Sequence, residues 1–408
     1  MSSREITSLQ WRTLFAAQTG WILDGMDVML YAFALTSIQQ EFGLTSAVAG
    51  SMASLTLLTS SAGGILAGWL ADRYGRARVL IFSILVYSVF TGATASAQTV
   101  WQLALWRALV GFGLGAEWSA GSVLVAETWP AKHRGKAVAF MQSGWAIGYL
   151  LAAILAGAIL PTYGWRALFL FGAAPAIFAL WVRRNIPEPE IWSSGNAGLH
   201  GQPHAAILPE LLRPANRRNI AIASLLCACV LFAYWGVFTW IPAYLASPVA
   251  QGGAGLGIVK TTGWIIPLQI GAFLGYTSFG FLADRFGRRR TFAAFTLTAA
   301  VLIPIYGSGK LAPTTLLAMS PLIGFFGHGY FSVFGSLLAE LFPSAIRATA
   351  QGLCYNSGRA VSALAPWAIG AVAGTRGIGP ALALTSFFFL AGTLIVFLLP
   401  ESKGEALL

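Results

Sequence analysis

Gly68-Trp-Leu-Ala-Asp72-Arg73-Tyr-Gly75-Arg76-Ala-Arg78 closes one long apolar run and opens the next. The pattern returns 212 residues later as Gly280-Phe-Leu-Ala-Asp284-Arg285-Phe-Gly287-Arg288-Arg289-Arg290. A second stretch keeps almost the same spacing: Gly111 to Glu127, Pro130 and Arg134 realign with Gly324 to Glu340, Pro343 and Arg347 at an offset of 213. Similarity at one fixed offset is the mark of an internal duplication. The chain reads as two copies of one unit.

The solvent of that unit follows from composition. Hydrophobic residues make up 57% of the 408, charged residues only 10%, and mean hydropathy is +0.71. Soluble domains carry about a quarter charged residues, so an aqueous globule is excluded. Apolar runs recur at the length a bilayer demands, roughly 20 residues per helix. The net charge of +11 does not point to nucleic acid, because the cations sit in short gaps between apolar runs and form no continuous basic face. Cys227, Cys229 and Cys354 lie inside apolar runs without metal-ligand spacing, so neither a metal nor a disulfide is expected. The N-terminus is short and polar, and the first apolar run is long enough to span, which does not fit a cleavable signal.

Twelve spanning helices can be drawn. The first six lie near 12–36, 47–71, 78–97, 101–126, 135–160 and 164–183. The second six lie near 218–246, 258–283, 290–309, 313–339, 347–373 and 379–399. The expected fold is an all-α membrane protein with two pseudo-symmetric six-helix halves, residues 1–184 and 218–408. The polar stretch 185–217, rich in Pro, Gly, Ser and charge, is the linker between them. Most of the 25 Lys and Arg fall in gaps on the motif side, while the opposite gaps hold Arg166, Lys260, Lys310 and Arg376. The positive-inside rule then puts both termini and the linker in the cytoplasm.

The opening motif reads as a tight helix-to-helix turn in which Gly68 permits close helix approach and Gly75 permits unusual backbone angles, with Gly280 and Gly287 in the matching places of the second copy. Asp72 and Asp284, with Arg73, Arg76, Arg285 and Arg288 beside them, suit a latch that breaks as the protein changes state. The alternative is a basic loop that only sets topology. Glu127 with Arg134, and Glu340 with Arg347, read as ion pairs at the same end, gating or structural.

These motifs and the two-half organisation resemble the major facilitator superfamily of secondary transporters. Pro400-Glu401-Ser402-Lys403-Gly404 after the last helix looks like the family's ending, and Pro187-Glu188-Pro-Glu190 is a looser match after the sixth. The resemblance implies a central cavity between the halves and alternating access by rocking.

Ionisable residues inside a membrane are costly, so each is a functional candidate. Asp24 and Asp27 stand three residues apart near the middle of the first helix, on one face. Burial and mutual repulsion favour keeping a proton on one of them, Asp27 ahead of Asp24, which suits a proton carrier. Arg359, in Tyr355-Asn356-Ser-Gly-Arg359, offers a planar fork for a carboxylate. With Asn356 one turn away it is the expected substrate anchor, or else a structural partner of Asp24 or Asp27. An Arg that alternates between Asp and substrate would combine the two roles. Arg107 opens Arg107-Ala-Leu-Val-Gly111-Phe-Gly113, which resembles the family's fourth-helix signature, where the arginine is linked to proton coupling. Its alternative is to fix the fourth helix against the first. Glu117 is a further proton-site candidate. His328 is either a cavity contact or a packed neutral ring. Tyr355 and Tyr330 lead the aromatic candidates for a cavity lining, ahead of Trp21, Tyr31, Trp118, Trp145, Tyr149, Tyr234, Trp235 and Trp240.

Gly20-Trp-Ile-Leu-Asp24-Gly-Met-Asp27, Gly115-Ala-Glu117-Trp118 and Tyr355-Asn-Ser-Gly-Arg359 resemble the organic-anion:proton symporters, both the sialate and lactate groups and the aromatic-acid group. The resemblance implies a monomeric transporter of the plasma (inner) membrane that imports a small organic anion with protons. A monocarboxylate such as lactate or pyruvate, or a sialate-like acid, is expected first. Uptake of an aromatic acid, proton-driven efflux, or a membrane sensor on the same scaffold are the alternatives. No G-x-S-x-G, H-E-x-x-H or nucleotide-binding loop is present, so neither an enzyme nor a cofactor is expected.

Overall fold

A computed structural model describes residues 6–74, 76–178, 181, 207–342 and 346–400. All regular structure among them is helical. The first half comprises α1 (Ser8–Phe42), α2 (Ser46–Tyr74), α3 (Arg76–Thr94), α4 (Val100–Thr128) and α5 (Ala131–Gly172). In α5 the helix is broken at Gly164, whose φ of 74° divides it into the expected fifth and sixth spans. A short α6 (Ile207–Leu211) leads into the second half: α7 (Pro214–Phe238), α8 (Ile241–Ala246), α9 (Gly257–Phe286), α10 (Arg288–Tyr306), α11 (Pro313–His328), α12 (Phe331–Glu340), α13 (Arg347–Ser362), α14 (Leu364–Arg376) and α15 (Ile378–Ile395). Three spans are thus interrupted, with α8 continuing α7, α12 continuing α11 and α14 continuing α13. Joined this way, the pieces make the twelve spans expected. Among the described residues, six helical stretches are long and apolar enough to cross a bilayer on length and composition alone.

Helix ends follow local chemistry. Thr7 caps α1 through the Gln10 amide N–H while the Gln10 side chain accepts from the Thr7 N–H, a reciprocal capping box. The second copy of the opening motif turns at Gly287, whose φ of 94° ends α9 and starts α10 without a β-carbon clash. Arg289 ties that turn to the far end of the chain, donating to the Phe397 carbonyl at 2.6 Å and covering its ring.

In the first half polar side chains bind neighbouring helices where apolar contact alone is unspecific. Gln18 of α1 donates to the Phe140 carbonyl of α5 at 3.1 Å, and Tyr31 donates to the Ala49 carbonyl of α2 at 2.8 Å. At the end away from the motifs, Glu41 holds Arg166 at 2.6 Å and accepts from the Trp165 indole at 2.7 Å. That cluster clasps α1 to the turn within α5.

The halves meet at this same end. Tyr149 donates to the Phe238 carbonyl at 2.9 Å, Thr262 to the Ala153 carbonyl at 3.0 Å, and the Trp367 amide to the Ser54 hydroxyl at 3.1 Å. All three contacts are uncharged. The linker expected at 185–217 falls mostly outside the described residues, as does Gly75.

Candidate functional site

Between the halves lies a cleft with about 430 Å³ of empty space, its open mouth included. The first half lines it with Trp21, Gln142 and Trp145, and the second with Leu231, Tyr234, Trp235, Tyr276, Phe331, Tyr355 and Arg359. Arg359 is 12 residues along α13, which puts it about 18 Å from the motif end at 1.5 Å per residue. That is the middle of a hydrocarbon core of roughly 30 Å.

Local packing explains why Arg359 arrives there. A β-carbon on Gly358 would sit 2.5 Å from the Cys227 β-carbon, so only glycine lets α13 lie this closely on α7. The neighbouring Arg359 is then carried to the interface, where it is 7% exposed. Rings surround it: Trp21 and Trp145 stand 4.9 Å apart by centroid, and Trp145 meets Trp235 edge-on at 5.8 Å. The Trp145 indole N–H donates to the Tyr234 hydroxyl, crossing from one half to the other.

The two first-helix aspartates, expected to share a face, have different surroundings. Asp24 is 1% exposed, neither of its oxygens has a hydrogen-bond partner among the described residues, and the cation acting on it among them is Arg359. Asp27 is fully buried, accepts from the Thr91 hydroxyl, and feels Arg107 of α4. Arg107 itself is 1% exposed and lies 5.1 Å over the Tyr31 ring. It lines a second, smaller space with Tyr31, Thr56 and Thr239. A displacement of three residues on a helix leaves about 60° between side chains. That rotation is enough to send Asp24 toward the other half and Asp27 into its own.

Three residues expected on the cleft stand off it. Asn356 turns toward α2, its Oδ1 lying 3.5 Å from where a Gly64 β-carbon would be. His328 is fully buried among Phe238, Tyr234 and Tyr276, with ring centroids 4.0, 5.1 and 6.2 Å away. Tyr330 is also fully buried and donates to the Val230 carbonyl. Both sit one layer behind the lining, because the break at Gly329-Tyr330 between α11 and α12 brings Phe331 forward instead. Tyr355 and Trp21 do line the cleft. Gln142, Leu231, Tyr276 and Phe331 are lining residues that sequence reading missed. Of these only Gln142 left a signal, as an amide inside an apolar run.

The side chains of Gly68, Asp72, Arg73, Arg76, Glu117, Trp118, Glu127, Arg134, Asp284, Glu340 and Arg347 lie outside the described residues. Arg285 is described, with its guanidinium 5.4 Å over the Phe286 ring.

A bundle of twelve spans in two halves around a mid-depth cleft is the architecture of a multi-pass membrane transporter. Residues 19–266 and 253–407 match the Major Facilitator Superfamily, and the chain belongs to that family. It is 32% identical to the cis,cis-muconate transport protein of Acinetobacter baylyi over 98% of this chain and 97% of that one. It is 28% identical to the sialic acid transporter NanX of Escherichia coli over 95% and 93%. The inward open conformation of the xylose transporter XylE from E. coli superposes with a TM-score of 0.77 over 98% of both chains, at 19% identity, a likeness of fold. The chain is a transporter and not an enzyme.

Proposed function

We propose that the protein imports a small organic acid together with protons, by alternating access across the plasma (inner) membrane. The observation that carries this reading is Arg359, the one cation lining the cleft among the described residues, acting electrostatically on the buried Asp24. A buried carboxylate without hydrogen bonds is costly unless compensated. In the substrate-free site Arg359 compensates Asp24. When a substrate carboxylate takes the guanidinium fork, Asp24 loses its compensation and a proton restores neutrality. Anion and proton therefore enter together. Asp27 of α1, under the influence of Arg107 of α4, is the other candidate for the proton. Relatives named for muconate and sialic acid transport support an organic-acid substrate.

Within that class the ring-lined wall favours a planar unsaturated or aromatic acid over lactate. Seven of the ten lining side chains are aromatic and would stack on a flat substrate. Both termini and the linker at 185–217 face the cytoplasm in this reading, and one chain is the working unit.

The test is uptake of labelled benzoate, cis,cis-muconate, lactate, pyruvate and sialic acid into proteoliposomes under an outside-acid pH gradient, with Arg359→Ala and Asp24→Asn beside the wild type. Gradient-driven accumulation of one acid that disappears in Arg359→Ala supports the reading. Normal transport by Arg359→Ala sinks it.

A further inference from the structure

The polar groups on the cleft wall do not all answer to each other. Trp145 donates to Tyr234, and Arg359 acts electrostatically on Asp24. Among the buried polar atoms of this wall, those of Trp21 and Gln142 stay unpaired within the described residues. Trp21 is 8% exposed and Gln142 9%, yet the Trp21 indole N–H and the Gln142 amide oxygen have no hydrogen-bond partner among the described residues. The large majority of buried side-chain polar atoms are paired, so two unpaired ones on a single wall require an account. Both belong to the first half, on α1 and α5, whereas Arg359 belongs to the second.

We infer that Trp21 and Gln142 determine specificity by binding a second, uncharged oxygen group of the substrate, a hydroxyl or a protonated carboxyl, while Arg359 holds its carboxylate. This rests on the transport reading above and deepens it. The chemistry of the two groups sets the choice. An indole N–H only donates, so the substrate must present an acceptor there. The Gln142 amide offers both an oxygen that accepts and an NH2 that donates, and its unpaired oxygen is satisfied where the substrate presents a proton. An oxygen bearing hydrogen satisfies both. A second charged carboxylate does not fit, because no second cation lines the cleft among the described residues. A ligand held this way touches both halves, so its second group also draws them together.

The experiment compares uptake efficiency for benzoate, 4-hydroxybenzoate, 3-hydroxybenzoate and terephthalate in proteoliposomes, with wild type, Gln142→Leu and Trp21→Phe. The readout is the ratio of each substituted acid to benzoate, from which a change in the amount of folded transporter cancels. Sites that hydrogen-bond a substrate hydroxyl discriminate strongly against analogues lacking it. The expected result is a preference of about tenfold or more for a hydroxybenzoate, or for terephthalate increasing as pH falls. Each variant should bring that ratio toward one. The hydroxybenzoates and terephthalate separate the hydroxyl from the protonated carboxyl. Wild-type uptake of benzoate with no preference overturns this inference and leaves the transport reading standing, and so does a preference that both variants keep. Uptake of none of these four acids, with another acid of the first assay accumulated, overturns this inference alone; accumulation of no acid in either assay overturns both.

Discussion

Thr262 of α9 donates its hydroxyl proton to the Ala153 carbonyl of α5 at 3.0 Å and lies directly over Gly157. A β-carbon on Gly157 would stand 2.6 Å from the Thr262 oxygen and 3.1 Å from its β-carbon. On the other side of the bundle, a β-carbon on Gly50 would fall 2.3 Å from the Pro366 carbonyl oxygen. The end away from the motifs is therefore closed by backbone laid against the opposite half, with neutral hydrogen bonds across it. Such a seam closes tightly but has no buried ion pair to break, which suits a gate that must reopen.

Gly157→Leu is expected to hold that seam open. Overpacking of this kind costs about 1–3 kcal/mol, which lowers the closed population about 5- to 150-fold. A cysteine placed at Ser54 would then react faster with an impermeant maleimide than in the wild-type background, and gradient-driven uptake would fall in parallel. Unchanged labelling would show that this contact does not set the state of the gate.

Asp24→Asn removes the charge that Arg359 compensates and cannot take up a proton. Substrate exchange between equal pools should persist, while accumulation driven by a pH gradient is lost. Asp27→Asn, made in parallel, leaves the Arg359 partner in place. Loss of coupling in Asp27→Asn alone would move the proton to the Asp27–Arg107 pair.

Arg359→Lys retains a positive charge but loses the planar fork. Substrate affinity should fall about tenfold, about 1.4 kcal/mol. Trp21, Trp145 and Trp235 line the cleft, so ligand quenching of tryptophan fluorescence gives the affinity directly. Arg359→Ala should abolish the quenching. If Lys binds as well as Arg, the fork is not what holds the anion.

His328→Leu should fold and transport. The ring sits behind the lining among Phe238, Tyr234 and Tyr276, and a replacement of similar volume costs less than about 2 kcal/mol in thermal unfolding. Loss of uptake by a variant of wild-type melting temperature would instead put His328 in contact with the substrate or its proton.

The duplication, the twelve spans and the ionisable residues inside them were legible in the chain because each is a property of composition, spacing or repetition. A run of apolar residues long enough for a bilayer leaves the backbone no alternative to helix, whatever its neighbours are. Arg359, Asp24, Asp27 and Arg107 stood out for a related reason: a charge at that depth needs a partner wherever the helix turns. The partner itself depends on rotation about the helix axis, and apolar spans that face protein on one side and lipid on the other show little periodicity from which to read it. Only the tertiary structure therefore turned Asp24 to Arg359 and Asp27 to Thr91 and Arg107. The same packing sent Asn356 toward Gly64, left His328 and Tyr330 behind the wall, and brought Gln142 onto it. The sequence determined which groups the membrane makes expensive, while the packing of one helix against another decided which of them meet.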